Sequence, residues 1–254
     1  MRFPKGSVAT GAQQDFPLLY QVLDSQFITH GQLWHFLNRS GAEFSRASFC
    51  WRAKRLVDGN FLYRRTFPMV HREFIYSVAA AGVTYLQNHG VFYSGPGDGP
   101  TTTPAGTGVA HAIGLNSIRL QLIQQGCLGV WRSEVEIRSH NELTKQPYQK
   151  DYDAIVTLRV GVQTSTVGLE YERTAKAWSA YMEIRKAIER ELQLDTFLYV
   201  AANSHIQEFL KQCFWQTKRR VYICLEKDIL QRPLDRVDVV EASTTRIHRL
   251  SEVL

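Results

Sequence analysis

Apolar residues recur at helical spacing through the first third of the chain. Leu18, Tyr20, Val22 and Leu23 give residues 15–24 their apolar faces, with Asp15 at a cap position and Pro17 in the first turn. Thr29 and Gln32 have capping-box spacing and predict a second helix, with Leu33, Phe36 and Leu37 on one face. A turn over 38–42 leads to a third helix over about 45–58, stopped by Gly59. Stepped around a helix, Phe49, Cys50, Ala53, Leu56 and Val57 gather on one side. Ser48, Trp51, Arg52, Lys54 and Arg55 gather on the other. Residues 61–78 read as two strands with a turn around 68–72, and 79–88 as a closing helix.

The pattern then breaks. Residues 94–108 are rich in Gly, Pro and Thr and read as a linker between a domain over 1–93 and another over 109–254. Residues 1–14 are polar, without a period, and read as a loose tail. Beyond the linker, 109–125 predicts a helix carrying Ile113, Ile118, Leu120 and Leu122, and 129–138 carries Trp131 and Glu134. Strands are expected over 152–160, 166–172, 196–202 and 220–225, with helices from Thr174 to about 192 and over 204–215. No internal repeat is visible.

Charge changes the picture of the first domain. The chain carries +6, and the window 39–72 carries the same net charge by itself: Arg39, Arg46, Arg52, Lys54, Arg55, Arg64, Arg65 and Arg72 against Glu43 and Asp58. A third helix with a basic, aromatic face, followed by a hairpin with a basic tip, is the order of a winged helix-turn-helix. Ser48, Trp51, Arg52, Lys54 and Arg55 would face the major groove of double-stranded DNA. Arg64, Arg65 and Arg72 would reach the phosphate backbone from the wing. A protein-protein or dimerisation module is the alternative use of the same elements.

The remaining composition excludes more than it assigns. Hydrophobic residues are 44% of the chain, enough for a packed core. No stretch has the length of apolar sequence a membrane span needs, and the N-terminus lacks a signal-peptide run, so a soluble cytoplasmic protein is expected, with no membrane partner. Cys50, Cys127, Cys213 and Cys224 form no C-x-x-C pair and read as reduced, mostly buried thiols. No phosphate-loop glycine motif, paired zinc-ligand histidines or Ser-His-Asp grouping appears. His111 reads as a packed helix residue, and Lys218, Arg219 and Arg220 as a polar strand end.

The second domain holds the candidate chemistry. Side chains alternate along a strand, so Glu170 and Glu172 share a face. Asp153 starts the preceding strand and Glu134 comes from the first helix-strand unit. Asp153, Glu170 and Glu172 would be hard-oxygen ligands for Mg²⁺, with Glu134 in support. Such an ion activates water and steadies charge on a phosphodiester.

Five segments carry a resemblance: FIYSVAAAGVTYL closing the first domain, VAHAIGLNSIRLQL, WRSE at 131–134, YDAIV at 152–156, and GLEYERT at 168–174 leading into a Lys-Trp-Tyr helix. Over about 16–225 the chain resembles the replication-relaxation family of plasmid and mobile-element proteins. More broadly it resembles the restriction-endonuclease-like, PD-(D/E)XK superfamily, whose core order is helix, three strands, helix, strand. The resemblance implies an α+β winged helix-turn-helix followed by an α/β restriction-endonuclease-like domain, a central mixed sheet flanked by helices. It departs from the nuclease pattern at two positions. Glu172 stands where a lysine is usual, leaving Arg173 or Lys176 to act near the scissile phosphate, and Tyr152 stands where a proline is common. The expected function is DNA binding in plasmid, phage or mobile-element replication or transcription control, with a nuclease-like domain and a homodimer compatible with the winged helix. The alternatives are a Mg²⁺-dependent DNA endonuclease and a protein-binding adaptor or dimerisation module.

Overall fold

The computed structural model describes residues 11–68, 73–95, 106–160 and 163–254. The chain divides into two compact units, Met1–Asn116 and Ser117–Leu254. Both mix helices with sheet.

The first unit begins with α1, Ala12–Ser25. Asp15 lies inside its first turn rather than at the cap, and accepts a 2.7 Å hydrogen bond from the Gly11 N–H. Strand β1, Ile28–Thr29, follows, an element too short for sequence patterning to show. Helix α2, His30–Arg39, opens with the expected capping box between Thr29 and Gln32. Helix α3, Arg46–Asp58, is capped by Ser45, whose hydroxyl accepts from the Ser48 N–H. Strands β2, Leu62–Arg65, and β3, Ile75–Val78, pair antiparallel, and β1 pairs antiparallel with the far edge of β3. The small sheet therefore runs β1-β3-β2. Helix α4, Ala80–Asn88, closes this part.

Helix α5, Gly106–Gln124, contains the division between the units. Composition puts a linker at 94–108, but the start of α5 packs with the first unit. Val109 and Ala112 share a core with Phe27 and Ile75, the Gln32 side-chain amide donates to the Ile113 carbonyl (2.8 Å), and Asn116 donates to the Phe27 carbonyl (2.9 Å). Burial of apolar side chains and of their neighbouring carbonyls sets this boundary, which composition does not report.

The second unit is built on one seven-stranded sheet, ordered β10-β9-β8-β7-β6-β5-β4. Strand β4, Leu128–Ser133, runs directly into α6, Glu134–Leu143, through a capping box between Ser133 and Glu136. Strands β5, Ala154–Val160, and β6, Gln163–Glu172, extend an antiparallel meander from β4. Helix α7, Trp178–Arg190, then crosses to β7, Thr196–Ala201, parallel to β6. Helix α8, Ser204–Phe214, crosses to β8, Arg220–Leu225, parallel to β7. Antiparallel β9, Asp238–Glu241, and β10, Ile247–Arg249, finish the sheet beyond a short α9, Glu226–Gln231, and α10, Leu250–Val253, ends the chain. Sequence patterning assigns none of the elements after residue 225.

One face of this sheet meets α6, α7 and α8. Ile155, Phe197, Tyr199, Val221 and Ile223 pack there with Ile137, Tyr181, Ile188, Leu210 and Phe214. These side chains alternate along strands and recur at helical spacing, so each element buries one face and the core is continuous.

Gly82 marks a close approach of helix to backbone in the first unit. A methyl group on it would sit 2.4 Å from the Phe61 carbonyl oxygen and 2.8 Å from Val78 Cγ2. A backbone oxygen cannot rotate away, so α4 must move off β2 and β3. Gly82→Ala is expected to cost about 1–3 kcal/mol despite the better helix propensity of alanine. Denaturant unfolding measures this; a stabilised variant would remove the close approach.

Candidate functional site

Two surfaces of the molecule carry the predicted residues, one in each unit. In the first unit α3 presents a stripe of Ala47, Cys50, Trp51, Lys54 and Asp58 outward. Trp51 is 64% exposed, and Phe44, just before the helix, is 83% exposed. Lys54 is exposed and ion-paired with Asp58 one turn on. Ser48 is also exposed.

Arg52 and Arg55 correct the expected basic face. Arg52 is buried and its guanidinium meets the Glu43 carboxylate at 3.1 Å. Arg55 turns toward Asp15, which is fully buried, at 2.5 Å, and stacks over Trp51 with 5.2 Å to the ring centroid. The helical wheel groups these arginines with Lys54, but they lie at the border of the buried face. There they neutralise acids that would otherwise be stranded out of water. Cys50, placed by the same wheel with the apolar residues, is exposed instead.

Other cations take their place on the surface. Arg46 is exposed at the start of α3, its guanidinium 5.8 Å from the Trp34 ring centroid. Arg64 is exposed on β2, 4.5 Å over the Phe74 ring, and pairs across the strands with Tyr76. Arg65 is half-buried over Tyr63 at 5.4 Å. Arg72 lies outside the described residues.

In the second unit β6 places Glu170 and Glu172 on one face, as alternation requires, and both are only 3% exposed. Glu170 is level with Tyr199 on β7, and Glu172 with Ala201. Each carboxylate is met by a lysine. Lys150 Nζ reaches Glu170 Oε1 from the loop before β5, and lies 4.9 Å over the Tyr152 ring. Lys176 Nζ reaches back from the loop before α7 to Glu172 Oε1, and lies 5.7 Å over the Tyr181 ring. Sequence patterning does not single out Lys150; its spacing of three before Asp153 is the only trace it leaves.

Asp153 sits at the entrance of β5. Its Oδ2 accepts from the Tyr171 N–H at 2.7 Å, which ties the carboxylate to the strand carrying the two glutamates. Glu134 is the first residue of α6 and pairs at 2.5 Å with Arg138, which also faces Asp151 at 3.5 Å. Arg173 is exposed and follows the alternation to the opposite face, beside the Tyr171 hydroxyl that donates to Glu226 Oε1. Of the two expected substitutes for the missing lysine, Lys176 joins the carboxylates and Arg173 does not. The loop 173–177 also shortens the helix expected from Thr174, which begins at Trp178.

Electrostatics follow from burial. Removal from water raises the Glu170 carboxyl to about 7; Lys150 and Lys176 pull it down, and Asp153 adds to the rise. Burial pulls the Lys176 ammonium down, but Glu172, Glu170 and Asp153 outweigh it and the net direction is up. The Tyr199 hydroxyl beside these acids is fully buried, has no hydrogen-bond partner among the described residues, and is held protonated by that burial and by Glu170 and Glu172.

The carboxylates are hard-oxygen donors, the type Mg²⁺ takes. Among the described residues no group of three or more His, Cys, Asp or Glu is spaced to hold a metal. Asp153 accepts from a backbone N–H, and Lys150 and Lys176 pair with Glu170 and Glu172. In this structure Asp153, Glu170 and Glu172 lie together, the two glutamates each paired with a lysine.

Among the described residues no helix is long and apolar enough to cross a membrane. No protein-family model matches the chain, and no curated protein or solved structure is significantly similar to it.

Two measurements check these assignments. Arg52→Ala strands the Glu43 carboxylate and is expected to cost about 3 kcal/mol of stability, whereas exposed Lys54→Ala costs less than about 0.5. Equal losses would return Arg52 to the surface. For Glu170, the folded state keeps a proton up to about 7 that the unfolded chain releases near an ordinary carboxylate pKa. Stability therefore falls as pH rises from about 5 to about 8, by up to about 3 kcal/mol from this group. Glu170→Gln should lack that loss and equal or exceed the parent at pH 8. The same pH slope in both proteins would show that Glu170 is not the group responsible.

Proposed function

We propose that this chain is a DNA-binding protein whose first unit is a winged helix-turn-helix and whose second is a restriction-endonuclease-like domain. The observation that carries the reading is the small sheet. Its order β1-β3-β2, with α2 and α3 inserted between β1 and β2, sets the β2-β3 hairpin beside a helix with an open outer face. Arg46, Lys54 and Arg64 stand exposed on those elements, interleaved with Phe44, Trp51 and Phe74. Cations for phosphate and flat aromatic rings for sugar and base edges are the materials of a nucleic-acid surface.

The second unit supports the broader resemblance through its connections. An antiparallel meander, a helix and a parallel strand, with buried carboxylates on the last meander strand and a lysine in the loop after it, support the superfamily order. A role in plasmid or mobile-element replication control rests on the sequence resemblance alone. An active endonuclease is the second reading, favoured by one observation: two glutamates are kept buried where apolar residues would be more stable.

Fluorescence anisotropy with a labelled duplex tests the first reading. The full chain should bind with strong salt dependence, and Lys54→Ala with Arg64→Ala should weaken binding. The slope of log affinity on log salt should flatten by about 0.9 for each phosphate the variant no longer neutralises. An unchanged slope would leave the surface to a protein partner. Incubation with supercoiled plasmid and Mg²⁺, Mn²⁺ or chelator separates binder from nuclease. Retardation without nicking is expected; metal-dependent nicking abolished by Asp153→Ala would establish the endonuclease.

A further inference from the structure

Cys50 stands apart from the other three cysteines. It is exposed, whereas Cys127 is half-buried and Cys213 and Cys224 are buried. Nor does it stand alone: its Sγ lies 3.5 Å from His30 Nε2, and His30 Nδ1 lies 2.9 Å from the Tyr76 hydroxyl. The three residues come from α3, the first turn of α2 and β3, so the thiol-imidazole-phenol chain spans the seam between helix and hairpin. The imidazole is held against Phe49, with 4.8 Å between ring centroids.

The geometry suits proton transfer between the thiol and the imidazole. Burial and the nearby Arg46 lower the His30 pKa, with Glu73 opposing, so the ring is neutral near pH 7 and its Nε2 can take a proton. Burial keeps the Tyr76 phenol protonated, to about 12, and its oxygen can accept from Nδ1–H, which leaves the Nε2 lone pair facing the sulfur. Arg46 acts on His30 and Arg64 on Tyr76, so positive charge adjoins the two partners of the exposed thiol.

We propose that Cys50 is a reactive thiol, set up by His30 and Tyr76, that exchanges with small disulfides and thereby closes the outer face of α3 to nucleic acid. The thiol proton passes to His30 Nε2 and the thiolate attacks one sulfur of the disulfide. A new bond forms between Cys50 Sγ and that sulfur, the original S–S bond breaks, and the departing thiolate takes the proton. Cys50 is oxidised to a mixed disulfide and the other half of the reagent is reduced to a thiol. A glutathione adduct would set bulk and negative charge one residue from Trp51 and one turn from Lys54. The closing effect rests on the DNA-binding reading; the thiol chemistry does not.

Glutathione disulfide and an aromatic disulfide are the probes, applied to the full chain and followed by absorbance and by mass of the modified peptide. One thiol should react fast, and Cys50→Ser should remove that phase. His30→Asn and Tyr76→Phe should each slow it about tenfold or more. Tyr76→Phe preserves the ring packing, so a slow rate in a variant with parental unfolding behaviour is not a folding defect. A fast phase that survives in Cys50→Ser, or parental rates in both His30→Asn and Tyr76→Phe, overturns the assignment. The glutathione adduct of the parent should lose duplex binding while treated Cys50→Ser keeps it. An adduct that binds as before ends the closing role. Untreated protein that binds no duplex ends the DNA reading and the closing role with it, while the exchange rates still judge the thiol.

Discussion

Charge that has been taken out of water has to be met, and both units are organised around that requirement. Glu170 and Glu172 lie inside the helical layer of the second unit, and Lys150 and Lys176 come from two separate loops to answer them. Asp15 and Glu43 lie inside the first unit, and Arg55 and Arg52 turn inward from α3 to answer those. Breaking a buried pair costs several kcal/mol, because it leaves one charge without compensation. The pairs therefore fix where α3 and the loops before β5 and α7 can sit. They also remove from the surface residues that a pattern of charge would have left there.

The two sets of pairs differ in what they leave behind. In the first unit Arg52 and Arg55 are turned inward to their acids, and the surface that remains is assembled from Arg46, Lys54 and Arg64 with exposed aromatic rings. In the second unit the pairs enclose groups whose proton affinity burial displaces. Burial keeps the Glu170 proton bound to higher pH, and the Tyr199 hydroxyl beside it has no hydrogen-bond partner in the described residues. The cluster stands at the carboxyl end of β6, next to parallel β7, the end of an α/β sheet where ligand sites form. Such a cluster is expensive to keep, and groups with displaced pKa values concentrate where function requires them.

Side-chain periodicity explains why Arg173 and Lys176 part company. Both follow Glu172 closely in sequence. Arg173 continues the strand's alternation and goes to the far face with Tyr171. Lys176 is past the end of the strand, where the chain has turned, and a four-carbon stem lets it return to Glu172. Distance along the chain is the wrong guide here, and the point at which the strand ends is the right one.

The sequence by itself determined the elements with strong local signals: α2 and its capping box, α3 and its glycine stop, the hairpin strands, and the strand-helix alternation from β5 to β8. It also determined that Glu170 and Glu172 share a face, because alternation is a property of any strand. It left β1, β9 and β10 invisible, because they are two to four residues long and too short to show a period. Tertiary structure alone decided that Arg52 and Arg55 turn inward, that Cys50 faces out against His30, that the first turns of α5 pack with the first unit, and that Lys150 joins the carboxylates. A helical wheel orders residues around an axis but does not say where the border of burial falls, and an ion pair 40 positions apart leaves no local trace. Those choices depend on which charges the packed core has already enclosed, and only the assembled fold contains that information.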